Sequence, residues 1–160
     1  MNTLPKRKPI RIKDYDYSTP GAYFVTICTA NREKNFWTSV GAATCRPQEI
    51  SLSSVGKTVE QGILQIPDRY KNVLVDKYCI MPDHIHLILR IECSETGRQI
   101  AAPTIPMVVG HMKRWVSMQI GRCVWQKSFY EHAIRNRQDY EETWEYIEKN
   151  PLKYLQKGTP

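Results

Sequence analysis

The chain has 160 residues, a usual length for one domain around one hydrophobic core, and its 41% apolar and 24% charged content excludes a disordered or fibrous class. A net charge of +7 and a pI near 9.2 favour polyanionic partners without identifying one. The five cysteines are odd in number and contain no C-x-x-C pair, which argues against a disulfide framework or a cysteine zinc site and suits a reducing cytoplasm.

Residues 1–19 read as a basic arm carrying Lys6, Arg7, Lys8, Arg11 and Lys13, ahead of a single domain over residues 20–160. No apolar stretch follows this basic start, so it does not read as a signal peptide. No run of about eighteen or more apolar residues is present to span a membrane. Residues 23–29 are β-branched and aromatic and predict a buried strand. Residues 31–52 give no clear pattern, with 41–44 a loop. Ser53 or Ser54 caps a helix to about Ile66, where Val59, Ile63 and Ile66 form one apolar stripe and Pro67 closes it.

Residues 73–81 and 84–91 predict two strands joined at Pro82-Asp83, together an antiparallel hairpin. Residues 94–104 are polar and small and read as a loop. Thr104 caps a helix from Ile105 to about Gly121, with Pro106 in its first turn and Val108, Met112 and Trp115 on its buried face. Residues 124–134 predict a fourth strand. Asn136 caps a last helix that begins at Arg137 and ends close to Asn150, because Pro151 disfavours helical geometry before it.

The order strand, helix, strand, strand, helix, strand, helix predicts an α+β domain. Its natural packing is a ferredoxin-like or RRM-like antiparallel sheet with two helices on one face. The last helix is then free to cover part of the other face.

His84 and His86 lie two apart on the third expected strand, so both imidazoles point to one side while Ile85, Leu87 and Leu89 point to the other. Two adjacent imidazoles form half a divalent-metal site, although an H-x-H pair on a strand often holds no metal. A third ligand must come from elsewhere. Tyr146 and Asn150 are four apart on the last helix and share one face, beside an apolar face of Tyr140, Trp144 and Ile147. Spacing alone does not select Tyr146 among nine tyrosines: Tyr140 and Tyr130 compete, and a tyrosine on an amphipathic helix is ordinarily a packing residue.

Met81-Pro82-Asp83-His84-Ile85-His86-Leu87-Ile88-Leu89 resembles the HUH motif of single-tyrosine transposases. The run from Val124 through Trp125, Phe129, Tyr130 and His132 to Asn136 resembles the segment ahead of the catalytic helix in REP-associated tyrosine transposases. Glu145-Tyr146-Ile147-Glu148-Lys149-Asn150-Pro151 resembles their nucleophile segment, and Tyr23-Phe24-Val25-Thr26-Ile27-Cys28-Thr29 with Asn31-Arg32 their first strand. The resemblance spans about residues 22–153.

The resemblance implies that His84, His86 and Asn150 hold Mg²⁺ or Mn²⁺ and that Tyr146 is the nucleophile. It implies single-stranded DNA cleavage at hairpin-forming repeats through a 5′-phosphotyrosine, by a cytoplasmic enzyme at the nucleoid, with a homodimer left open. A phenol has a pKa of about 10, so its proton must leave during attack. Asp139, Glu142 and His132 are titratable neighbours in sequence, and a solvated or structural role is the simpler reading for each. Lys6, Arg7, Lys8, Arg11, Arg114 and Lys127 are the expected DNA contacts. A non-catalytic RRM-like binding module and a metal-dependent hydrolase are the competing readings.

Overall fold

The computed structural model describes residues 19–38, 50–93 and 103–157. The arm residues Lys6, Arg7, Lys8 and Arg11 lie outside these, as do residues 41–44 and 94–102. The strands are β1 (Gly21–Cys28), β2 (Val73–Ile80), β3 (His84–Ile91) and β4 (Tyr130–Ala133). The helices are α1 (Ser54–Leu64), α2 (Ile66–Arg69), α3 (Ile105–Ile120) and α4 (Arg137–Lys157).

The four strands form one sheet in the order β2-β3-β1-β4, and every neighbouring pair is antiparallel. This is the ferredoxin-like arrangement that the order of elements predicts. Period-two alternation sorts the side chains. Tyr23, Val25 and Ile27 of β1 and Ile85, Leu87, Leu89 and Ile91 of β3 are buried in the core beneath α1 and α3. Each such side chain contributes about 1.5–3 kcal/mol by leaving water. Val59 and Ile63 of α1 and Val108, Met112 and Val116 of α3 close that core from above.

The opposite, outer face carries Phe24 and Thr26 of β1 and His84, His86 and Ile88 of β3. Here α4 lies down, with Ile147 fully buried against Cys79, Met81 and Ile88 and with Tyr140, Trp144 and Tyr154 packed around them. Lys77 of β2 sits over the Trp144 ring at 4.7 Å and pairs with Glu148 at 3.3 Å.

Helix ends follow their caps. Ser53, not Ser54, is the N-cap of α1, its hydroxyl accepting from the Gly56 amide at 3.0 Å. Gly56 meets the Phe36 carbonyl so closely that a Cβ there would collide with it. Thr104 caps α3, and Gly121 closes it in the left-handed region at φ 78°.

Three boundaries differ from the sequence expectation. The strand expected over residues 124–134 is confined to Tyr130–Ala133, and residues 124–126 make only irregular bonds to the end of β1 and the turn after it, Gln126 N–H to the Cys28 carbonyl at 3.0 Å and Ala30 N–H to the Val124 carbonyl at 2.8 Å. There Trp125 is buried and makes one bridge to Thr29. Pro67 does not end the helical run; α1 stops at Leu64 and Pro67 occupies the first turn of α2, where its missing N–H has no bond to lose. The last helix continues through Pro151 to Lys157, so Asn150 is inside it rather than at its end. Tyr154, in the continuation, packs edge-on to Trp37 with centroids 5.5 Å apart.

Candidate active site

The β1–β3 register sets Thr26 opposite His86 and Cys28 opposite His84. His86 is 3% exposed and stacks on Phe24 with centroids 5.4 Å apart. Its Nδ1 lies 2.8 Å from Thr26 Oγ1. His84 Nδ1 lies 2.6 Å from Asp83 Oδ1, and the two Nε2 atoms face each other at 3.1 Å.

This geometry constrains the protons. A carboxylate can only accept, so the Asp83 contact places the proton of a neutral His84 on Nδ1 and a lone pair on Nε2. The Thr26 hydroxyl serves His86 either way, donating to Nδ1 or accepting from it. One proton between the two Nε2 atoms satisfies both rings. Moving it to His86 Nδ1 leaves two lone pairs aimed at one point, each ring held by its own partner. That donor set fits a divalent cation. Burial pushes the His86 pKa down to about 3, with His84 and Arg32 adding to the effect and Asp83 opposing it. The imidazole is therefore neutral, as a metal ligand must be.

Arg32 completes the support, its Nε 3.0 Å from Asp83 Oδ2. It stands in the turn after β1, where Asn31 and Arg32 both have positive φ, 54° and 59°. Left-handed geometry costs a non-glycine residue roughly 1 kcal/mol. The turn is held by Thr29, whose amide and hydroxyl both donate to the Asp83 carbonyl, at 2.9 and 3.0 Å.

Tyr146 reaches this site from α4. Its ring centroid is 5.3 Å from that of His86 and 6.0 Å from that of Phe24, edge-on to both, and it remains 47% exposed. Asn150 is half-buried one turn further along. Among the described residues no three or more His, Cys, Asp or Glu side chains cluster at metal-holding spacing.

The competing tyrosines are placed differently. Tyr140 donates to Asp76 Oδ2 at 2.9 Å, on a carboxylate that also takes Arg90 Nε, and its pKa is raised by burial and by Asp76. Tyr130 is exposed on the outer face of β4. His132 Nε2 is 3.0 Å from Asp139 Oδ2, which also accepts from the Arg135 amide. Partial burial of Asp139 is outweighed by those two bonds, which hold its carboxyl below the usual range. Glu142 accepts from Gln138 at 2.8 Å. Lys127 is exposed between α3 and β4, and Arg114 is exposed on α3, in the layer on the far side of the sheet from the histidines.

No protein-family model matches the chain. An uncharacterized protein of Haemophilus influenzae is 30% identical over 94% of this chain and 91% of its own length. The REP-associated tyrosine transposase of Escherichia coli is 29% identical over 86% of this chain and 70% of its own. The chain belongs to the REP-associated tyrosine transposase family. A solved structure of a REP-associated tyrosine transposase bound to a REP hairpin superposes with a TM-score of 0.62, at 22% identity over 89% of this chain and 74% of that one, a likeness of fold.

Within this REP-associated tyrosine transposase fold, sequence reasoning does not reach Thr26, Phe24 or the roles of Asp83 and Arg32. Asp83 next to His84 carries the only local signal. Thr26 reaches His86 through strand register and Arg32 reaches Asp83 through a left-handed turn, which spacing along the chain does not encode.

Proposed function

We propose that the chain is a metal-dependent single-stranded DNA endonuclease and transposase that acts at hairpin-forming repeats through a 5′-phosphotyrosine. The observation that carries this reading is the Tyr146 ring 5.3 Å from the His86 ring, beside the paired Nε2 atoms. Family membership and the hairpin bound by a relative of the same fold support the substrate class.

In this reading His84, His86 and the Asn150 amide hold Mg²⁺ or Mn²⁺. When bound, the cation supplies Lewis-acid stabilisation of charge on the scissile phosphate. The Tyr146 oxygen forms a bond to phosphorus while the bond from phosphorus to the 3′ oxygen breaks. The phenolic proton is lost and the leaving oxygen gains one, giving a free 3′-hydroxyl. The reverse attack by a 3′-hydroxyl rejoins strands with no other energy source. Asp83 and Thr26 keep the imidazoles aimed, and the half-exposed phenol can meet DNA without rearrangement of α4. Arm residues Lys6, Arg7, Lys8 and Arg11, with Lys127, neutralise phosphates along the bound strand, whereas Arg114, across the sheet from the histidines, serves only DNA that continues around that side.

The test incubates the full chain with Mn²⁺ and a labelled hairpin library carrying random single-stranded flanks. A covalent adduct that survives detergent, is lost with EDTA and is absent in Tyr146→Phe is expected. Cleavage without an adduct favours hydrolysis by water, and binding without cleavage favours a binding module; either outcome overturns the proposal.

A further inference from the structure

We propose that Tyr130 is a stacking platform for an unpaired base of the DNA flank next to the scissile phosphate. The proposal rests on the strand-transfer reading above and names a substrate contact for the same site.

The outer face of the sheet is covered unevenly. α4 packs over β2 and β3, whose Cys79, Met81 and Ile88 meet Ile147. Tyr130, on edge strand β4, is 49% exposed. A single exposed aromatic is ordinary on a protein surface. This one continues a row of rings into the site. Its ring lies edge-on to Phe24 with centroids 6.3 Å apart; Phe24 lies edge-on to Tyr146 at 6.0 Å; Tyr146 meets His86 at 5.3 Å. Tyr130 is also the cross-strand partner of Thr26, whose hydroxyl holds His86 Nδ1. Its backbone is thus about one strand spacing, roughly 5 Å, from that of the residue that orients His86.

Farther along β4 the same face opens into a cleft with groups that suit a base. His132, two residues on and therefore on the same face, lines an open cleft of about 500 Å³ together with Arg135, Asn136, Gln138, Asp139 and Glu142. The Asp139 and Glu142 carboxylates and the Asn136 and Gln138 amides can hydrogen-bond base edges, while Arg135 can meet a neighbouring phosphate. A strand whose phosphate sits at the histidines would therefore turn a base toward β4, where the exposed phenol ring offers the stacking surface. Such stacking tolerates any base and changes affinity about 5- to 150-fold.

The experiment uses a cleavable hairpin recovered from the random-flank library and compares wild type with Tyr130→Ala, Tyr130→Leu and Tyr130→Phe. Single-turnover adduct formation is followed against DNA concentration, and abasic sites are placed in turn along the flank. Tyr130→Ala and Tyr130→Leu are expected to raise the half-saturating DNA concentration about 5-fold or more while leaving the rate at saturation unchanged, and Tyr130→Phe to restore wild-type behaviour. In wild type one abasic position should cost a similar factor, and in Tyr130→Ala that same position should cost nothing further. Equal affinity in Tyr130→Ala, or losses that simply add at every flank position, would overturn the proposal. Fluorescence anisotropy with the same oligonucleotides reads the stacking whether or not an adduct forms. An adduct-free wild type with Tyr130-dependent binding would sink the covalent reading and keep this one.

Discussion

Asp83 Oδ1 lies 2.6 Å from His84 Nδ1, while Arg32 Nε lies 3.0 Å from the other carboxylate oxygen. Asp83 is 8% exposed, so this carboxylate is screened from solvent and fixed at both oxygens. It orients the imidazole and makes it a stronger donor to a cation.

Asp83→Asn keeps an oxygen acceptor and the side-chain volume but removes the charge that supports His84. We expect Mn²⁺ affinity, measured by isothermal titration calorimetry, to fall about 10- to 100-fold with the fold intact by circular dichroism. Unchanged affinity would show that His84 is oriented by packing alone.

Thr26→Val preserves shape and removes the hydroxyl that bonds His86 Nδ1. A buried ring nitrogen left without a partner costs about 1–3 kcal/mol. Urea unfolding in EDTA should show a loss in that range, and Thr26→Ser should recover most of it.

Cys79 gives the pH dependence. Burial pushes its thiol up from 9.0 to about 11, opposed in part by Lys77. The unfolded chain releases this proton first, so the contribution of Cys79 to stability is constant below pH 9.0 and is lost between pH 9.0 and about 11. The slope is at most about 1.4 kcal/mol per pH unit. Cys79→Ala should flatten the alkaline limb of urea midpoints taken between pH 8 and 11, and native Cys79 should resist alkylation while exposed Cys93 and Cys123 react.

Tyr140 is the control tyrosine. Its hydroxyl donates to Asp76, which also holds Arg90. Tyr140→Phe removes that bond and should cost about 1–2 kcal/mol in chemical denaturation. Its yield of DNA adduct at a temperature well below unfolding should match wild type.

The strands of the sheet were legible because residues 23–28 and 84–91 are rich in β-branched and aromatic residues, although Phe24 and Ile88 break the alternation where α4 covers the outer face. The paired histidines were legible because two residues of one parity on one strand share a face. Residues 124–129 resemble a strand in composition, yet Val124 and Trp125 are buried and pair with residues 29–30 by one isolated bridge and one backbone bond, short of a ladder. Pro151 signals a helix end locally, and the contacts that accompany the helix past it, such as Tyr154 with Trp37, come from residues far away in the chain. The placement of Tyr146 was legible only as a family pattern, since its approach to His86 depends on how Ile147 seats α4 against Met81 and Ile88.

Peptide mapping of the trapped DNA adduct by tandem mass spectrometry tests the central claim most directly. The account predicts one nucleotide-modified peptide, containing Tyr146, with the 5′ phosphate on the phenolic oxygen. A modification found instead on Tyr130 or Tyr140 would contradict it.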